Sequence, residues 1–380
     1  MNYKFIETEV ELRNICDDFL KEKVIGVDLE ADSMHCFKER ICLIQIATAE
    51  QAFLIDPFEL KGISPFLKIL ENPDIIKVFH GADFDIRSLD RDYQTRVNNL
   101  FDTEIACRFL GIKERGLGAL LKKHFSIDSN KKYQKANWSK RPFNQGMIEY
   151  SVMDVAFLVK LYGIILQQLV NRGRLSWVKE EFEIQEEVRY ENNHQSPLFK
   201  KFKGAGKIDN RSLAVLENLL QLRMQIAEKK DQPLFKIMSN SSLMDMSMEK
   251  PATIDQILGI RALSPRQADM YGKFCVEAII KAMELEQEQL PLYPKLKRPK
   301  KDVKVQNRIK QLKKMREKLS RSMGMEPGFL LNNAVIVSIA LTRPDTPETL
   351  LKIEEIRQWQ VENIGNNIIS TLGYCNEQGG

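Results

Sequence analysis

Cysteine and histidine are scarce in this chain. Its 380 residues include six cysteines and four histidines, and neither type is clustered. Because no CxxC or HxxxH spacing occurs, a structural zinc site is not expected. The cysteines show no close pairing, which favours free thiols in a reducing compartment over a disulfide framework. The sequence therefore predicts a cytoplasmic protein.

Long apolar runs are also scarce. The amino terminus has no basic start followed by an apolar core, so a secretory signal is not expected. The most apolar late stretch, residues 334–341, is too short to cross a bilayer, and we expect no membrane partner. With 43% hydrophobic and 29% charged residues, the chain has the composition of a globular protein of two or three domains. A net charge of +5 permits a polyanionic partner without requiring one.

The chain up to about residue 165 has a mixed α/β pattern. Strand-like runs occur at residues 24–29, 41–47, 52–55 and 75–79. Short polar separators between the first three favour an antiparallel meander. Helices are predicted at residues 84–91, 103–110 and 117–125, with Asp102 and Thr103 as caps of the second. A further helix begins near Phe143, and its apolar residues recur at steps of three and four: Met153, Phe157, Leu161 and Ile164.

The second half of the chain is helical and contains an internal repeat. A polar connector is predicted over residues 170–207. Residues 213–283 and 308–372 then share one plan. Each begins with an amphipathic helix that carries an arginine, followed by a proline at a turn and a short helix. A Pro and a Thr then precede another helix, and a final helix ends the copy. The matching residues are Arg223 and Arg316, then Pro233 and Pro327. A basic, proline-rich linker, residues 291–304, separates the copies.

Two acids close an apolar run, Val24-Ile25-Gly26-Val27-Asp28-Leu29-Glu30. In a strand, residues i and i+2 share a face, so Asp28 and Glu30 point the same way and repel. An unpaired carboxylate in an apolar setting is costly. A divalent cation between the two acids would relieve both problems.

Further acids follow along the chain. Asp85 comes just after the fourth predicted strand, where active-site residues often lie. Tyr150 and Asp154 are four residues apart on a predicted helix, so they share a face. Taken alone, Asp85 also suits the first turn of a helix and Asp154 suits a solvated helix face. Spacing alone leaves a metal site and these structural roles open.

The order of these residues resembles the three exonuclease motifs of the DEDD superfamily, in the subgroup marked by tyrosine. The motifs are Asp28-x-Glu30, then Asp85, then Tyr150-x-x-x-Asp154. Residues 78–86, 101–103 and 132–142 resemble the ribonuclease D branch of that superfamily. Asn130 stands where an Asp is common. The two helical repeats resemble HRDC domains, so the resemblance covers residues 3–372.

This resemblance implies both a fold and a domain order. The fold is an α/β ribonuclease-H-like exonuclease domain, with a mixed sheet flanked by helices, followed by two all-α helical-bundle HRDC domains. The expected boundaries are residues 1–170 for the exonuclease domain, 171–207 for the connector, 208–290 for the first HRDC domain, 291–304 for the basic linker and 305–375 for the second HRDC-like domain.

The resemblance also implies a 3′–5′ exoribonuclease that uses two divalent metal ions, Mg²⁺ or Mn²⁺, and no organic cofactor. Asp28, Glu30, Asp85 and Asp154 would be the metal ligands, with Asp28 bridging both ions, and Tyr150 would orient the attacking water. The family implies a monomer that acts on RNA 3′ ends, with tRNA precursors as substrates and nucleoside 5′-monophosphates as products. A DNA 3′–5′ exonuclease and a non-catalytic nucleic-acid-binding scaffold are the alternatives, and the intact set of five residues argues against the scaffold.

Four residues are candidates for substrate contact: Gln45, His80, Phe84 and Trp138. Single-stranded ends are typically held on aromatic faces and in basic grooves. Trp138 could instead be a packing residue that anchors its loop, and His80 a buried structural histidine. Residues 295–321 carry thirteen Lys or Arg and only two acids, so they could contact phosphates or form a solvated linker and helix face.

Overall fold

The computed structural model describes residues 2–128, 131–191, 197–294 and 302–377. These divide into two compact units. The first comprises Met1–Glu30, Ile41–Tyr190 and Pro299–Gly380, and the second comprises Ala31–Arg40 and Glu191–Arg298. Asn130 and the middle of the predicted basic linker, residues 295–301, lie outside the described residues.

One mixed sheet forms the centre of the first unit. Its strands are β1 (Asn2–Ile6), β2 (Val24–Ala31), β3 (Ile41–Ala47), β4 (Gln51–Ile55), β5 (Ile76–Phe79) and β6 (Leu100–Asp102). They lie in the order β1-β4-β3-β2-β5-β6. The predicted antiparallel pairing is confirmed for β3 with β4. The pairs β1–β4, β2–β5 and β5–β6 are parallel, and the sequence pattern missed β1 and β6 altogether.

Helices cover both faces of this sheet. They are α1 (Glu9–Phe19), α2 (Ser64–Glu71), α3 (Asp83–Tyr93), α4 (Thr103–Phe109), α5 (Leu117–Phe125), α6 (Gln145–Ala156), α7 (Leu158–Asn171) and α8 (Leu175–Glu186). Strand alternation divides β2 between two cores: Ile25 and Val27 pack with α1 and α2. Gly26 faces the other way, where a Cβ would lie 2.8 Å from the Cβ of Leu158. Glycine therefore lets the start of α7 approach the strand that carries Asp28.

The helix predicted from Phe143 is two consecutive helices, α6 and α7. Asn144 caps α6 by accepting a hydrogen bond from the Met147 backbone N–H, and Phe157 joins the two helices. The predicted apolar stripe was correct only at Leu161. The side chains that the two helices bury in the core include Val152, Val155, Leu158, Leu161 and Ile165. By length and composition Gln145–Asn171 could cross a bilayer, but its buried side packs in the core of this unit.

The prediction of a polar connector over residues 170–207 is wrong for its first half. Helix α8 lies there, and its Val178 and Phe182 are buried. The Phe182 ring lies 4.9 Å from that of Phe101, measured between centroids. Glu186 accepts a hydrogen bond of 2.8 Å from the backbone N–H of Leu100. These contacts join α8 to β6 and make it part of the exonuclease fold.

The two repeats have the same five helices. The first repeat has α9 (Asn210–Lys230), α10 (Leu234–Ile237), α11 (Asn240–Glu249), α12 (Ile254–Gly259) and α13 (Pro265–Met283). The second has α14 (Val303–Met323), α15 (Pro327–Leu330), α16 (Asn333–Thr342), α17 (Pro347–Leu350) and α18 (Gln358–Glu377). The predicted repeat is thus confirmed, and so is the fold class of a mixed sheet with flanking helices followed by two all-helical regions.

The repeat extends to individual hydrogen bonds. Arg223 is buried and donates to the Met238 carbonyl at 3.1 Å and to Asn240 Oδ1 at 2.8 Å. Arg316 donates in the same way to the Leu331 carbonyl at 2.8 Å and to Asn333 Oδ1 at 3.1 Å. In each copy the arginine ties the first helix to the segment that enters the third.

The second repeat packs directly against the exonuclease fold within the first unit. The rings of Trp177 on α8 and Trp359 on α18 are stacked with centroids 5.4 Å apart. Glu180 accepts hydrogen bonds from the backbone N–H groups of Gln358 and Trp359 at 2.7 and 2.9 Å, which satisfies the start of α18. One continuous core therefore runs from the sheet into the second repeat.

Candidate active site

Asp28 and Glu30 lie side by side on β2, on the face that carries Gly26. Both are taken largely out of water, and burial is the main cause that raises the pKa of each carboxyl well above its ordinary value. Neighbouring acids raise both values further. The strand thus holds two carboxyl groups whose charged forms are disfavoured by burial and by the neighbouring acids.

Helix α6 supplies the next two residues. Tyr150 and Asp154 are one turn apart, and the Tyr150 hydroxyl donates a hydrogen bond to the Asp154 carboxylate. Burial first, and then the charges of Asp154 and Glu30, raise the pKa of Tyr150. The phenol therefore remains protonated at neutral pH. Burial also raises the pKa of Asp154 from 3.8 to about 7, although its hydrogen bond with Tyr150 opposes this.

The structure brings three of the four predicted acids into one tight group. One carboxylate oxygen from each of Asp28, Glu30 and Asp154 lies within 4.8 Å of the other two. Asp85 is buried in the first turn of α3, and its charge raises the pKa of both Asp28 and Glu30. Asp85 is thus close enough to act on these acids, although it is not one of the three whose oxygens lie within 4.8 Å of one another.

These residues fit a divalent metal site. The donor set consists of carboxylate oxygens alone, which suits hard cations such as Mg²⁺ and Mn²⁺. Every one of the four acids has a raised pKa, because the ionised forms are buried close together. A bound cation would reverse this penalty, so the arrangement is explained by a metal better than by packing.

Asp102 belongs to the support of this site, whereas the sequence indicated it as a helix cap and as part of a segment that resembles the ribonuclease D branch. It caps α4 as predicted, accepting from the backbone N–H groups of Glu104 and Ile105. It also accepts from Gly81 and Ala82, at 2.9 and 2.8 Å. These last two bonds fix the turn between β5 and the first turn of α3, where Asp85 lies. Because they join residues about twenty positions apart, no local pattern could have indicated them.

His80 and Phe84 lie on either side of that turn. The Thr103 hydroxyl donates to the Phe79 carbonyl at 3.0 Å, so its lone pair accepts from His80 Nδ1–H at 2.8 Å. Burial lowers the pKa of His80, which favours the neutral ring with Nε2 as an acceptor. The Phe84 side chain is 47% exposed, next to the buried Asp85. Of the four predicted substrate residues, Phe84 has the ring most available to a nucleotide.

Gln45 and Trp138 are buried instead. Gln45 is fully buried on β3, and Trp138 is 1% exposed. The Trp138 ring lies against Phe143 and Tyr150, with centroid distances of 5.8 and 6.1 Å. This favours the alternative in which Trp138 anchors its loop. The Gln45 amide and the Trp138 Nε1–H have no hydrogen-bond partner within the described part of the chain.

The comparisons with known proteins cover both halves of the chain. Residues 3–170 match the model described as 3′-5′ exonuclease, and residues 212–279 and 305–372 each match the HRDC domain. Ribonuclease D of Desulfotalea psychrophila is 26% identical over 340 residues, which cover 89% of this chain and 90% of that protein.

Two solved structures are similar as well. The RNase D structure from Escherichia coli superposes with a TM-score of 0.75 at 21% identity, covering 98% of this chain and 99% of that one. The catalytic core of RRP6 from Trypanosoma brucei superposes with a TM-score of 0.65 at 27% identity, covering 74% and 79%. With an exonuclease domain followed by two HRDC domains, and a match to a ribonuclease D over about nine tenths of both chains, this chain is a ribonuclease D-like DEDD 3′–5′ exonuclease with two HRDC domains.

Proposed function

We propose that this exoribonuclease acts on the 3′ ends of tRNA precursors in the cytoplasm, as a monomer, and releases nucleoside 5′-monophosphates with the help of two divalent metal ions. The observation that carries the proposal is the group of Asp28, Glu30 and Asp154 within 4.8 Å of one another, with Asp85 beside it. Four carboxylates supply enough negative charge to hold two cations that would otherwise repel each other.

Each of the five residues has a proposed task. Asp28, Glu30, Asp85 and Asp154 would hold Mg²⁺ or Mn²⁺, and Asp28 lies among the others, since all three other acids raise its pKa. Two ions bound there supply activation of the attacking water and stabilisation of the leaving 3′ oxygen.

Tyr150 orients the attacking water rather than taking its proton. The hydroxyl hydrogen is directed to Asp154, so the oxygen lone pairs are free to accept from a water molecule. Because its pKa is raised, the phenolate is hardly populated at neutral pH, so Tyr150 does not serve as a general base there. A Tyr150→Phe variant should therefore retain a reduced activity, whereas loss of a metal ligand should abolish it.

The surface of the second HRDC domain supports an RNA partner. On α14 the buried side carries Arg308, Leu312, Arg316 and Ser320. The opposite, exposed side carries five cations with one acid, Glu317, among them. The cations are Lys310, Lys313, Lys314, Lys318 and Arg321. A helix face of this kind suits the phosphates of an RNA body, with binding that weakens as salt rises.

The test uses RNA and DNA strands of one sequence, labelled at the 5′ end, with Mg²⁺ or Mn²⁺. Stepwise shortening of RNA, with nucleoside 5′-monophosphates as products, is the expected result. Asp28→Asn and Asp154→Asn should abolish shortening while leaving the circular dichroism spectrum unchanged. Equal shortening of DNA would favour the DNA exonuclease, and binding without shortening would favour the scaffold.

The substrate class is tested with a tRNA carrying a 3′ extension, beside an unstructured RNA of the same length. Trimming that stops near the mature end of the tRNA supports the proposal. Faster digestion of the unstructured RNA, with no stop on the tRNA, contradicts it. Blocking the 3′ hydroxyl with a phosphate separates exonucleolytic attack from internal cleavage.

A further inference from the structure

Arg141 forms a half-buried clamp at the end of the sheet. Its Nε and Nη2 donate to the two carboxylate oxygens of Asp56, at 2.5 and 2.8 Å. Asp56 directly follows β4 and is buried. Nη2 also donates to the Cys42 carbonyl on β3 at 2.8 Å, and Nη1 donates to the Trp138 carbonyl at 2.6 Å. One guanidinium thus ties the loop of Trp138 to two strands.

Aromatic rings enclose the same guanidinium. Its central carbon lies 3.9 Å from the centroid of the Phe143 ring and 4.7 Å from that of Phe58. Such contacts favour a planar, weakly hydrated cation, which arginine provides and lysine does not. With five donors directed at fixed acceptors, the geometry of Arg141 determines where its loop lies.

This loop leads directly to the active-site tyrosine. The Tyr150 ring lies 6.1 Å from Trp138 and 6.2 Å from Tyr133, measured between centroids. Both neighbours come from residues 132–142, the segment that Arg141 fastens. Tyr150 therefore has its hydroxyl on Asp154 and its ring near two side chains of the clamped loop.

We propose that Arg141, paired with Asp56, is a positioning residue that sets the orientation of Tyr150. The inference rests on the proposed role of Tyr150 in orienting the attacking water. Arg141 has its role neither as a ligand of the metal nor as a contact of the substrate. It acts through Trp138 and the loop backbone, and the acid that it binds is Asp56. When Arg141 is lost, the loop moves and the Tyr150 ring loses its packing contacts with Trp138 and Tyr133. The attacking water is then no longer correctly oriented, while RNA still binds.

The kinetic test is a double-mutant cycle between positions 141 and 150. On a short RNA, Arg141→Met should lower kcat by about 10- to 100-fold, because a misplacement on the order of 1 Å has that effect. KM should change by less than about twofold, since ground-state binding is untouched. In a Tyr150→Phe background the same change should lower kcat less than about twofold, because the group being positioned is already gone.

Two further variants protect the interpretation. Asp56→Asn keeps the shape of the pair and should also lower kcat. It replaces Arg141→Met as the test variant if Arg141→Met does not fold. Arg174 is the matched control: it donates to the carbonyls of Phe109 and Met323 and lies 5.6 Å from the Trp177 ring. Arg174→Met should lower the Tm and leave kcat and KM unchanged.

A spectroscopic readout tests the clamp independently of activity. In protein labelled with 3-fluorotyrosine, the Tyr150 resonance is assigned from its absence in Tyr150→Phe. That resonance should shift or broaden in Arg141→Met and stay in place in Arg174→Met. An unchanged resonance, an equal loss of kcat in both backgrounds, or an effect on KM alone would overturn the clamp. A wild-type protein that shortens no RNA would overturn the proposed function, while the resonance still decides the clamp.

Discussion

Replacing Asp154 by asparagine should stabilise the metal-free protein and abolish its activity. Without a cation, Asp28, Glu30 and Asp154 hold like charges within 4.8 Å of one another, in a place that water reaches poorly. Asparagine keeps the size of the side chain and an acceptor for the Tyr150 hydroxyl, but removes one charge. The protein then loses a ligand that it needs for catalysis and a repulsion that it does not need for folding.

The size of the effect follows from the pKa of Asp154. Raising it from 3.8 to about 7 corresponds to about 4 kcal/mol against the charged form above pH 7. Part of this is relieved by residual solvation and by protons on the neighbouring acids, so the expected gain is about 1–3 kcal/mol. Because the folded state binds the proton more tightly than the unfolded state, metal-free wild type loses stability as pH rises from about 4 to about 7.

Guanidinium unfolding in EDTA, at pH 5 and pH 8, measures this directly. The variant should be more stable than wild type at pH 8, and the difference should shrink at pH 5. Mg²⁺ or Mn²⁺ should then stabilise wild type more than the variant, because binding to the folded state alone shifts the equilibrium. A variant that is less stable than wild type in EDTA at pH 8 would refute the electrostatic reasoning. A variant that degrades RNA at the wild-type rate would show that Asp154 is no ligand.

Three other predictions concern separate parts of the molecule. Gly111→Ala should lower the Tm, because the added Cβ would lie 1.8 Å from the Gly324 carbonyl oxygen and because the backbone φ of Gly111 is positive. An unchanged Tm would show that the segments of Gly111 and Gly324 separate at little cost in free energy. Burial lowers the pKa of Lys77 to about 8. As pH rises from 8 to about 10.5, the free energy of unfolding of wild type should therefore increase by about 1–3 kcal/mol relative to that of Lys77→Met. Chemical denaturation at each pH measures this, and a constant difference between the two proteins would contradict it. Lys314→Gln with Lys318→Gln should weaken the binding of long RNA and reduce its salt dependence, measured by fluorescence anisotropy, while degradation of a dinucleotide stays unchanged.

The central strands and the acids on β2 could be predicted from the sequence because both leave a local pattern in it. A buried strand shows itself as a short apolar run, and Asp28 and Glu30 interrupt that run at a spacing that places both side chains on one face of the strand. The four central strands were found in this way. The edge strand β1 is mostly exposed and β6 has only three residues, so neither has a run long enough to recognise.

Helix α8 was missed because its composition is polar on most sides. Only Val178 and Phe182 are buried, and glutamates that bond to neighbouring backbone N–H groups occupy much of the rest. A hydrophobic pattern cannot indicate that Glu186 and Glu180 serve as acceptors, since their partners Leu100 and Gln358 are far away in the chain.

The supports of the active site were hidden for the same reason. Asp102 reaches Gly81 and Ala82, and Arg141 reaches Asp56 across 85 positions. Local spacing identifies groups that lie on one strand or one helix turn, such as Tyr150 and Asp154. It carries no information about which distant loop holds them in place.

The two HRDC domains show how one plan acquires two different surfaces. Corresponding helices begin 93 residues apart throughout, from α9 and α14 to α13 and α18. At that offset the buried Trp359, which stacks on Trp177, corresponds to the exposed Arg266. Gly324, which meets Gly111, corresponds to Asp231; both end the first helix in a left-handed conformation.

The conserved plan therefore needs only the left-handed turn and the buried arginine, whereas the tryptophan and the glycine serve the exonuclease fold. In the second copy these substitutions produce a face that joins the core of the catalytic unit. Disrupting that face should destabilise the exonuclease fold itself, because the core behind Trp359 is continuous with the one behind β6 and α4. The second HRDC domain is thus part of the catalytic scaffold, and its exposed α14 surface is the one that we propose to bind RNA.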